Sequence, residues 1–184
     1  MFEDRRSKEV VLVAHCVLNQ NSRISGCGLF PGAMGEAARV LVESGVGLVQ
    51  LPCPELLYLG LDRARHQGRS VGVWAALSTP EGRQACKGML QDTVYQIREY
   101  QRHSFTVLGV VGIDGSPACG VNLIWDHEAK KDVEGTGAFI SALQEVFAEN
   151  NLDLEIIGIR DGEWDEGVKR IKALMARAVG SNQA

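Results

Sequence analysis

The chain has 184 residues, of which 45% are hydrophobic and 23% are charged. This length and balance predict a single domain over residues 1–184 with its own hydrophobic core. The net charge of −4 argues against a nucleic-acid partner, because phosphate binding needs clustered Lys and Arg. The N-terminus lacks a signal-peptide pattern and no apolar run reaches the roughly 18–20 residues that span a membrane, so we expect a cytoplasmic protein with no membrane partner.

Apolar, β-prone runs alternate with amphipathic stretches along the chain. In chain order, the pattern predicts strand 10–16, helix 31–45, strand 46–52, helix 78–103, strand 105–113, helix 135–151, strand 154–160 and helix 164–179. Pro31 and Pro80 fit first helical turns, and Gly45 fits a helix end. Residues 60–78 are predicted to be irregular, a loop with some short structure.

Strands that are apolar throughout and alternate with helices are typical of a parallel sheet covered on both faces. We therefore predict an α/β fold, an open three-layer sandwich with a mostly parallel, Rossmann-like sheet. Ligands of such sheets bind outside the carboxyl ends of the strands, so the residues that follow each strand are candidates for the functional site.

Three of the five cysteines lie at this edge of the predicted sheet. Cys16 ends the first strand, Cys53 ends the second, and Cys119 follows the third. Convergent thiolates are soft ligands that select zinc, Cu(I) or an iron–sulfur cluster, and His15 or Cys27 is a candidate fourth ligand for a closed zinc site. Taken singly, each cysteine is also typical of a buried apolar side chain.

Polar residues accompany these thiols. Asn19 and Arg23 follow the first strand and suit a small heteroaromatic ring or an anion, although polar loop residues also form turns. Glu55 lies two residues after the second cysteine and suits proton transfer or the first turn of a helix. Ser116 precedes the third cysteine by three residues, so one turn can aim both side chains at one ligand.

Several other features have both a functional and a structural interpretation. The glycines of "EGTGAF" (134–139) open a helix whose free N–H groups could bind an anion. A basic cluster could gate a substrate entrance or form a solvated loop; it comprises Arg63, Arg65, His66 and Arg69. The three tryptophans are predicted to pack against the fold.

Three motifs stand out when read together: "CVLNQNSRISG" (16–26), "CPE" (53–55) and "SPACG" (116–120). They resemble the 2-thiouracil desulfurase family, and in particular its related desulfidases. The resemblance covers most of the chain, from the first strand to the helix that begins near Gly137. It implies an enzyme of sulfur metabolism acting on a small thiolated compound.

The resemblance also implies roles for individual residues. Cys16, Cys53 and Cys119 would bind a [4Fe-4S] cluster whose fourth iron has no protein ligand. The thiocarbonyl sulfur of the substrate would bind that iron, and water would replace it on the ring carbon without a redox step. Glu55 and Ser116 become candidates for proton transfer and hydrogen bonding.

The chain departs from the desulfurase pattern at three places: Asn19, Ile24–Ser25 and Gly115 replace the usual glycine, tyrosine–aspartate and lysine. Because these residues are expected at the pocket, the substrate is predicted only as a small thiouracil-like compound. Two alternatives stay open, a hydrolase with a metal-free cysteine nucleophile and a non-catalytic metal or cluster module. In a strand, His15 would point to the face opposite Cys16 and would be poorly placed to activate it. The sequence is compatible with an oligomer.

Overall fold

The computed structural model describes residues 4–65 and 72–181. The strands are β1 (Glu9–Val13), β2 (Gly47–Gln50), β3 (Thr106–Asp114), β4 (Leu123–Asp126), β5 (Lys131–Glu134) and β6 (Ile156–Arg160). Four of them form a parallel sheet in the order β2-β1-β3-β6, and β4 pairs with β5 in a separate antiparallel hairpin. The predicted parallel α/β sheet is therefore confirmed.

Helices cover both faces of this sheet. They are α1 (His15–Leu18), α2 (Gly35–Glu43), α3 (Val73–Ser78), α4 (Pro80–Met89), α5 (Gln91–Arg102), α6 (Ala138–Glu149) and α7 (Trp164–Ser181). α2 packs against α7, which crosses β6 and β3, while α4 packs against α6 in the other layer. The result is the predicted three-layer sandwich. None of the helices so described is long and apolar enough to cross a membrane.

The central strands β1 and β3 form the middle of the core. Val11 and Val13 in β1, and Val110 and Val111 in β3, have no exposed surface. Burying each such side chain contributes about 1.5–3 kcal/mol, which explains why these strands are continuously apolar. The strand order reverses direction between β1 and β3, and such a reversal leaves a crevice at the carboxyl ends of the strands.

Several predicted boundaries are wrong, and the differences concern the candidate site. β1 ends at Val13, so Cys16 lies in the short helix α1 instead of ending the strand. β2 likewise ends at Gln50, three residues before Cys53. Both thiols still follow their strands at the carboxyl edge of the sheet.

Two predicted helices also differ. The helix predicted from Pro31 begins only at Gly35, because residues 30–33 bend first, although Gly45 follows its end as predicted with a φ of 76°. The helix predicted over 78–103 is interrupted at Leu90, whose N–H bonds to the Lys87 carbonyl in a tighter turn.

The β4–β5 hairpin was not predicted. Its strands have four residues each and carry several charges, so neither resembles an apolar strand. Trp125 of β4 lies opposite Asp132 of β5, and the Asp132 carboxylate pairs with Arg160 at the end of β6. This ion pair ties the hairpin to the carboxyl edge of the parallel sheet.

Candidate active site

A cavity of ≈ 570 Å³ lies where β1, β2, β3 and β6 end. Its lining residues are His15, Cys16, Ser22, Arg23, Ile24, Cys27, Leu29, Cys53, Glu55, Arg63, Val73, Ile113, Asp114, Gly115, Ser116, Pro117, Cys119, Trp125, Asp132, Arg160 and Asp161. The fold thus brings six of the seven predicted site residues together, all except Asn19. His15 and Cys27, the candidate fourth ligands of a closed zinc site, line the same cavity.

A tight turn after β3 carries Cys119. Ser116 Oγ accepts hydrogen bonds from the backbone N–H of Cys119 at 2.9 Å and of Ala118 at 3.3 Å. The carboxylate of Asp114, only 6% exposed, accepts from the N–H groups of Val121 at 2.9 Å and of residue 122 at 2.8 Å. Asp114 therefore orients the turn.

The start of α6 locks this turn in place. The N–H of Gly137 donates to the Gly120 carbonyl at 2.9 Å, and the N–H of Ala138 donates to the Pro117 carbonyl at 3.1 Å. A Cβ on Gly120 would lie 2.1 Å from Leu123 O, so only glycine fits this close backbone contact. The predicted anion site at this helix start is wrong, because its N–H groups already bind the turn.

Cys53 lies at the start of a π-helix, Glu55–Leu59, whose preceding Pro54 already has helical dihedrals. The N–H of Leu56 donates to Cys53 Sγ at 3.4 Å, so the first turn of the helix contributes an N–H group to the sulfur. π-helices are rare and occur frequently at functional sites. The proline next to this thiol therefore starts a helix that aims N–H groups at the sulfur.

Arg23 links the Cys16 thiol to the far side of the cavity. Its Nη2 lies 3.9 Å from Cys16 Sγ, and its Nη1 donates to Asp161 Oδ2 at 2.5 Å and to the Cys27 carbonyl at 3.1 Å. The guanidinium predicted to bind substrate is thus already engaged with three protein groups, and it places a positive charge beside one thiol.

The three thiols share one electrostatic environment. Burial raises the pKa of Cys16 to about 11, against the opposing effect of Arg23. Burial likewise raises the pKa of Cys53, opposed by the N–H of Leu56. The pKa of Cys119 is raised well above its usual value by burial and then by the neighbouring Cys16 and Cys53. Burial is the largest cause at each thiol, so all three are disfavoured as thiolates in this cavity unless a cation compensates their charge.

Glu55 opens the π-helix and pairs with Arg63, whose Nε lies 2.9 Å from Glu55 Oε2. Arg63 belongs to the predicted basic cluster, yet it is buried and lines the cavity, whereas Arg65 is exposed. The other members, His66 and Arg69, lie outside the described residues. Only its position could have indicated this role for Arg63: it follows Glu55 by one short helix and a turn, so the two side chains can meet.

Other predicted residues lie elsewhere or act differently. Asn19 caps a 3-10 turn, where its Oδ1 accepts from the N–H of Asn21 at 3.1 Å. Trp125 lines the cavity with a half-exposed indole instead of packing inside the fold. Two buried atoms of cavity-lining residues, His15 Nε2 and Asp161 Oδ1, have no hydrogen-bond partner among the described residues. Asp161 was not predicted from the sequence, because no local pattern distinguishes an aspartate that pairs with a distant arginine from one that only forms a turn.

The side chains at this site bear on the cluster that the resemblance implies. Among residues 4–65 and 72–181, no three His, Cys, Asp or Glu side chains are close enough to hold a single metal ion. A single zinc ion requires all ligands within about 2.0–2.3 Å of one centre, whereas a cluster occupies the space between its thiolates. The three thiols line one cavity, and thiolates are the ligands that iron–sulfur clusters use, so the donor chemistry fits the larger group.

Comparisons with known proteins concern the fold and the family of this chain. No family model matches the sequence. A solved structure described as the [4Fe-4S]-dependent thiouracil desulfidase TudS superposes with a TM-score of 0.50 at 17% identity, covering 90% of this chain and 99% of that chain; this similarity concerns the fold. The uncharacterized protein MJ0003 of Methanocaldococcus jannaschii is 32% identical over 142 residues, which are 76% of this chain and 86% of MJ0003. The chain belongs to the protein family of MJ0003.

Proposed function

We propose that this protein is a cytoplasmic [4Fe-4S]-dependent desulfidase that hydrolytically removes sulfur from a small, thiouracil-like compound. The observation that carries the proposal is the convergence of three cysteines from three strand ends on one cavity that also contains a carboxylate and a hydroxyl. Cys16, Cys53 and Cys119 would hold the cluster. When bound, the cluster supplies a Lewis acid with affinity for a soft thiocarbonyl sulfur. The fold similarity to TudS supports this proposal.

Glu55 and Ser116 supply the acid–base and hydrogen-bonding groups. Glu55, held by Arg63, accepts a proton from the water that attacks the thiocarbonyl carbon and returns it to the departing sulfide. Ser116 Oγ already accepts two backbone N–H groups, which leaves its own proton to donate to a ring heteroatom. The overall change, C=S plus water giving C=O plus hydrogen sulfide, balances without an oxidant.

Apolar and aromatic side chains complete the cavity. Leu29, Val73 and Ile113 line it, and Trp125 presents its half-exposed indole at the same wall. A planar heterocycle can stack on an indole face and displace water from apolar walls. This lining supports a small flat ring as the substrate class.

The two alternatives have less support. A free cysteine nucleophile must be a thiolate, yet burial raises the pKa of Cys16 and of Cys119. His15 now lies in α1 beside Cys16, but its Nε2 has no hydrogen-bond partner among the described residues, so it does not form a thiol–imidazole pair. A purely structural cluster would not need the Glu55 carboxylate in the cavity.

Anaerobic purification followed by assay with 2-thiouracil and a panel of thio compounds tests the proposal. We expect a brown protein with about four irons per chain and release of equal amounts of sulfide and oxo product. Cys53→Ser should lose the iron, while Cys86→Ala, a buried cysteine in α4, should keep it. Stoichiometric zinc without iron, or full iron with no turnover of any thio compound, contradicts the proposal.

A further inference from the structure

Arg63 is the least exposed charged residue in the described part of the chain, with 2% of its surface exposed. Its Nε donates to Glu55 at 2.9 Å, its Nη1 to the Gly60 and Leu61 carbonyls at 2.9 Å each, and its Nη2 to the Ser22 carbonyl at 2.7 Å. Burying a permanently charged group is unfavourable unless it is paired and hydrogen-bonded. These four contacts satisfy that requirement.

The backbone turns back on itself to bring Arg63 over the cavity. Gly60, with a φ of 88°, ends the π-helix, and the N–H of Arg63 donates to the Gly60 carbonyl at 3.1 Å. Arg63 itself has a φ of 58°, a left-handed conformation that is unfavourable for a residue with a Cβ. The surrounding contacts must therefore hold this reversal in place.

The guanidinium joins two segments that each carry a thiol. Ser22 ends the 3-10 turn that follows Cys16 in α1, and Glu55 follows Cys53 by two residues. After the strand ends, where the Leu51 N–H donates to the Val13 carbonyl, no backbone hydrogen bond among the described residues connects these two segments. Arg63 bonds to both of them.

We propose that Arg63 is a positioning residue of this site: it holds Glu55 toward the cavity and fixes the Cys16 and Cys53 segments relative to each other. The part that concerns Glu55 rests on the proposed function, whereas the link between the two segments does not. Lysine cannot replace Arg63, because its single ammonium lacks the planar fork that reaches four acceptors in different directions.

Arg63→Lys, with Arg65→Lys as the matched control from the same turn, tests both parts. In iron-loaded protein we expect kcat to fall at least tenfold in R63K with KM within about twofold of wild type. We expect iron loss to a chelator to be at least threefold faster in R63K, since two thiol segments are freed. R65K should match wild type in all three measurements, because Arg65 is exposed.

A double-mutant cycle with Glu55→Gln separates positioning from general damage. If Arg63 acts through Glu55, R63K lowers kcat less than twofold once Glu55 has been replaced. If the reductions in kcat caused by R63K and Glu55→Gln simply multiply in the double variant, Arg63 does not act through Glu55. If R63K loses iron at the wild-type rate, Arg63 does not link the two segments. If iron-loaded wild type turns over no thio compound, the proposed function fails, and the chelator measurement still decides the link.

A second variant covers the case in which R63K does not fold. Arg63→Ala is assayed with and without added guanidinium ion, and recovery of folding and of slow iron loss is expected when the ion occupies the vacated space. A variant that stays unfolded under both conditions makes Arg63 a residue of general stability and overturns the proposal.

Discussion

The two walls of the cavity are built in different ways. The main-chain wall, residues 114–123 with the start of α6, is held by backbone hydrogen bonds, a buried carboxylate and glycine contacts too close for a side chain. The side-chain wall, residues 16–27 and 53–63, is held largely by the guanidinium groups of Arg23 and Arg63. The first wall can change little without unfolding, whereas the second can change by single substitutions.

The largest effect is expected in the main-chain wall at Gly137. A Cβ there would lie 2.3 Å from Ala118 O, so Gly137→Ala must displace the Cys119 turn. We expect a loss of about 3 kcal/mol or failure to fold, measured by urea denaturation. Gly88→Ala in α4 is the control; its Cβ meets open space, and alanine should stabilise the helix by about 0.5–1 kcal/mol. Equal effects of the two substitutions would contradict the close backbone contact at Gly137.

The next largest effect is expected at Asp114. Asp114→Asn removes the negative charge that accepts several backbone N–H groups. It also places an amide NH2 opposite the Nδ2 of Asn122, so that two donors face each other. We expect a loss of about 2 kcal/mol in unfolding free energy and weaker iron binding. Asp126→Asn, at the exposed turn of the hairpin, should change stability by less than about 0.5 kcal/mol. An unchanged unfolding curve for D114N would contradict the role of this carboxylate.

The pH dependence of cysteine alkylation in iron-free protein compares a thiol of each wall, Cys16 and Cys119. A raised pKa keeps a thiol protonated, so alkylation of Cys16 should accelerate about tenfold per pH unit from pH 7.5 until the pH approaches its pKa of about 11. Cys119, whose pKa is raised further by its neighbours, should react more slowly, and exposed Cys27 should react first. Mass spectrometry of peptides after timed alkylation gives the order. Alkylation of Cys16 at pH 7.5 as fast as that of Cys27 would contradict this environment.

The smallest effect is expected at Asn19. Because its side chain caps a 3-10 turn outside the cavity lining, Asn19→Ala should cost about 0.5–1 kcal/mol in stability. We expect kcat/KM for a thio substrate to stay within about threefold of wild type. Asn21→Ala, from the same turn, is the matched control. A tenfold rise in KM for N19A alone would establish Asn19 as a substrate contact, as the sequence predicts.

The sheet and the position of the thiols could be predicted from the sequence because they depend on local patterns. Continuous apolar runs mark buried parallel strands, and ligands of such sheets bind at their carboxyl ends, which brings Cys16, Cys53 and Cys119 to one edge. The same reasoning placed Cys16 inside a strand, because "VVLVAHC" stays apolar beyond the point where hydrogen bonding to β3 and β2 ends.

The rest of the site depends on contacts between residues far apart in the chain. Asp161 lies 138 residues from the arginine it binds, and the pair of Asp132 and Arg160 joins a hairpin to a strand. Such contacts leave no periodic signal in one sequence. The burial of Arg63 could not be predicted for another reason: an arginine in a polar turn is far more often solvated than buried.

The long separation of the three cysteines has a consequence for how the protein matures. They lie 37 and 66 residues apart in the chain, so an unfolded polypeptide would lose considerable loop entropy by gathering them around one group. The apolar core of β1 and β3 gathers the strand ends that precede these cysteines. Under the proposed function, the packing of the core would therefore meet most of the loop-closure cost, and cluster loading would follow folding, in the order opposite to that of a zinc finger.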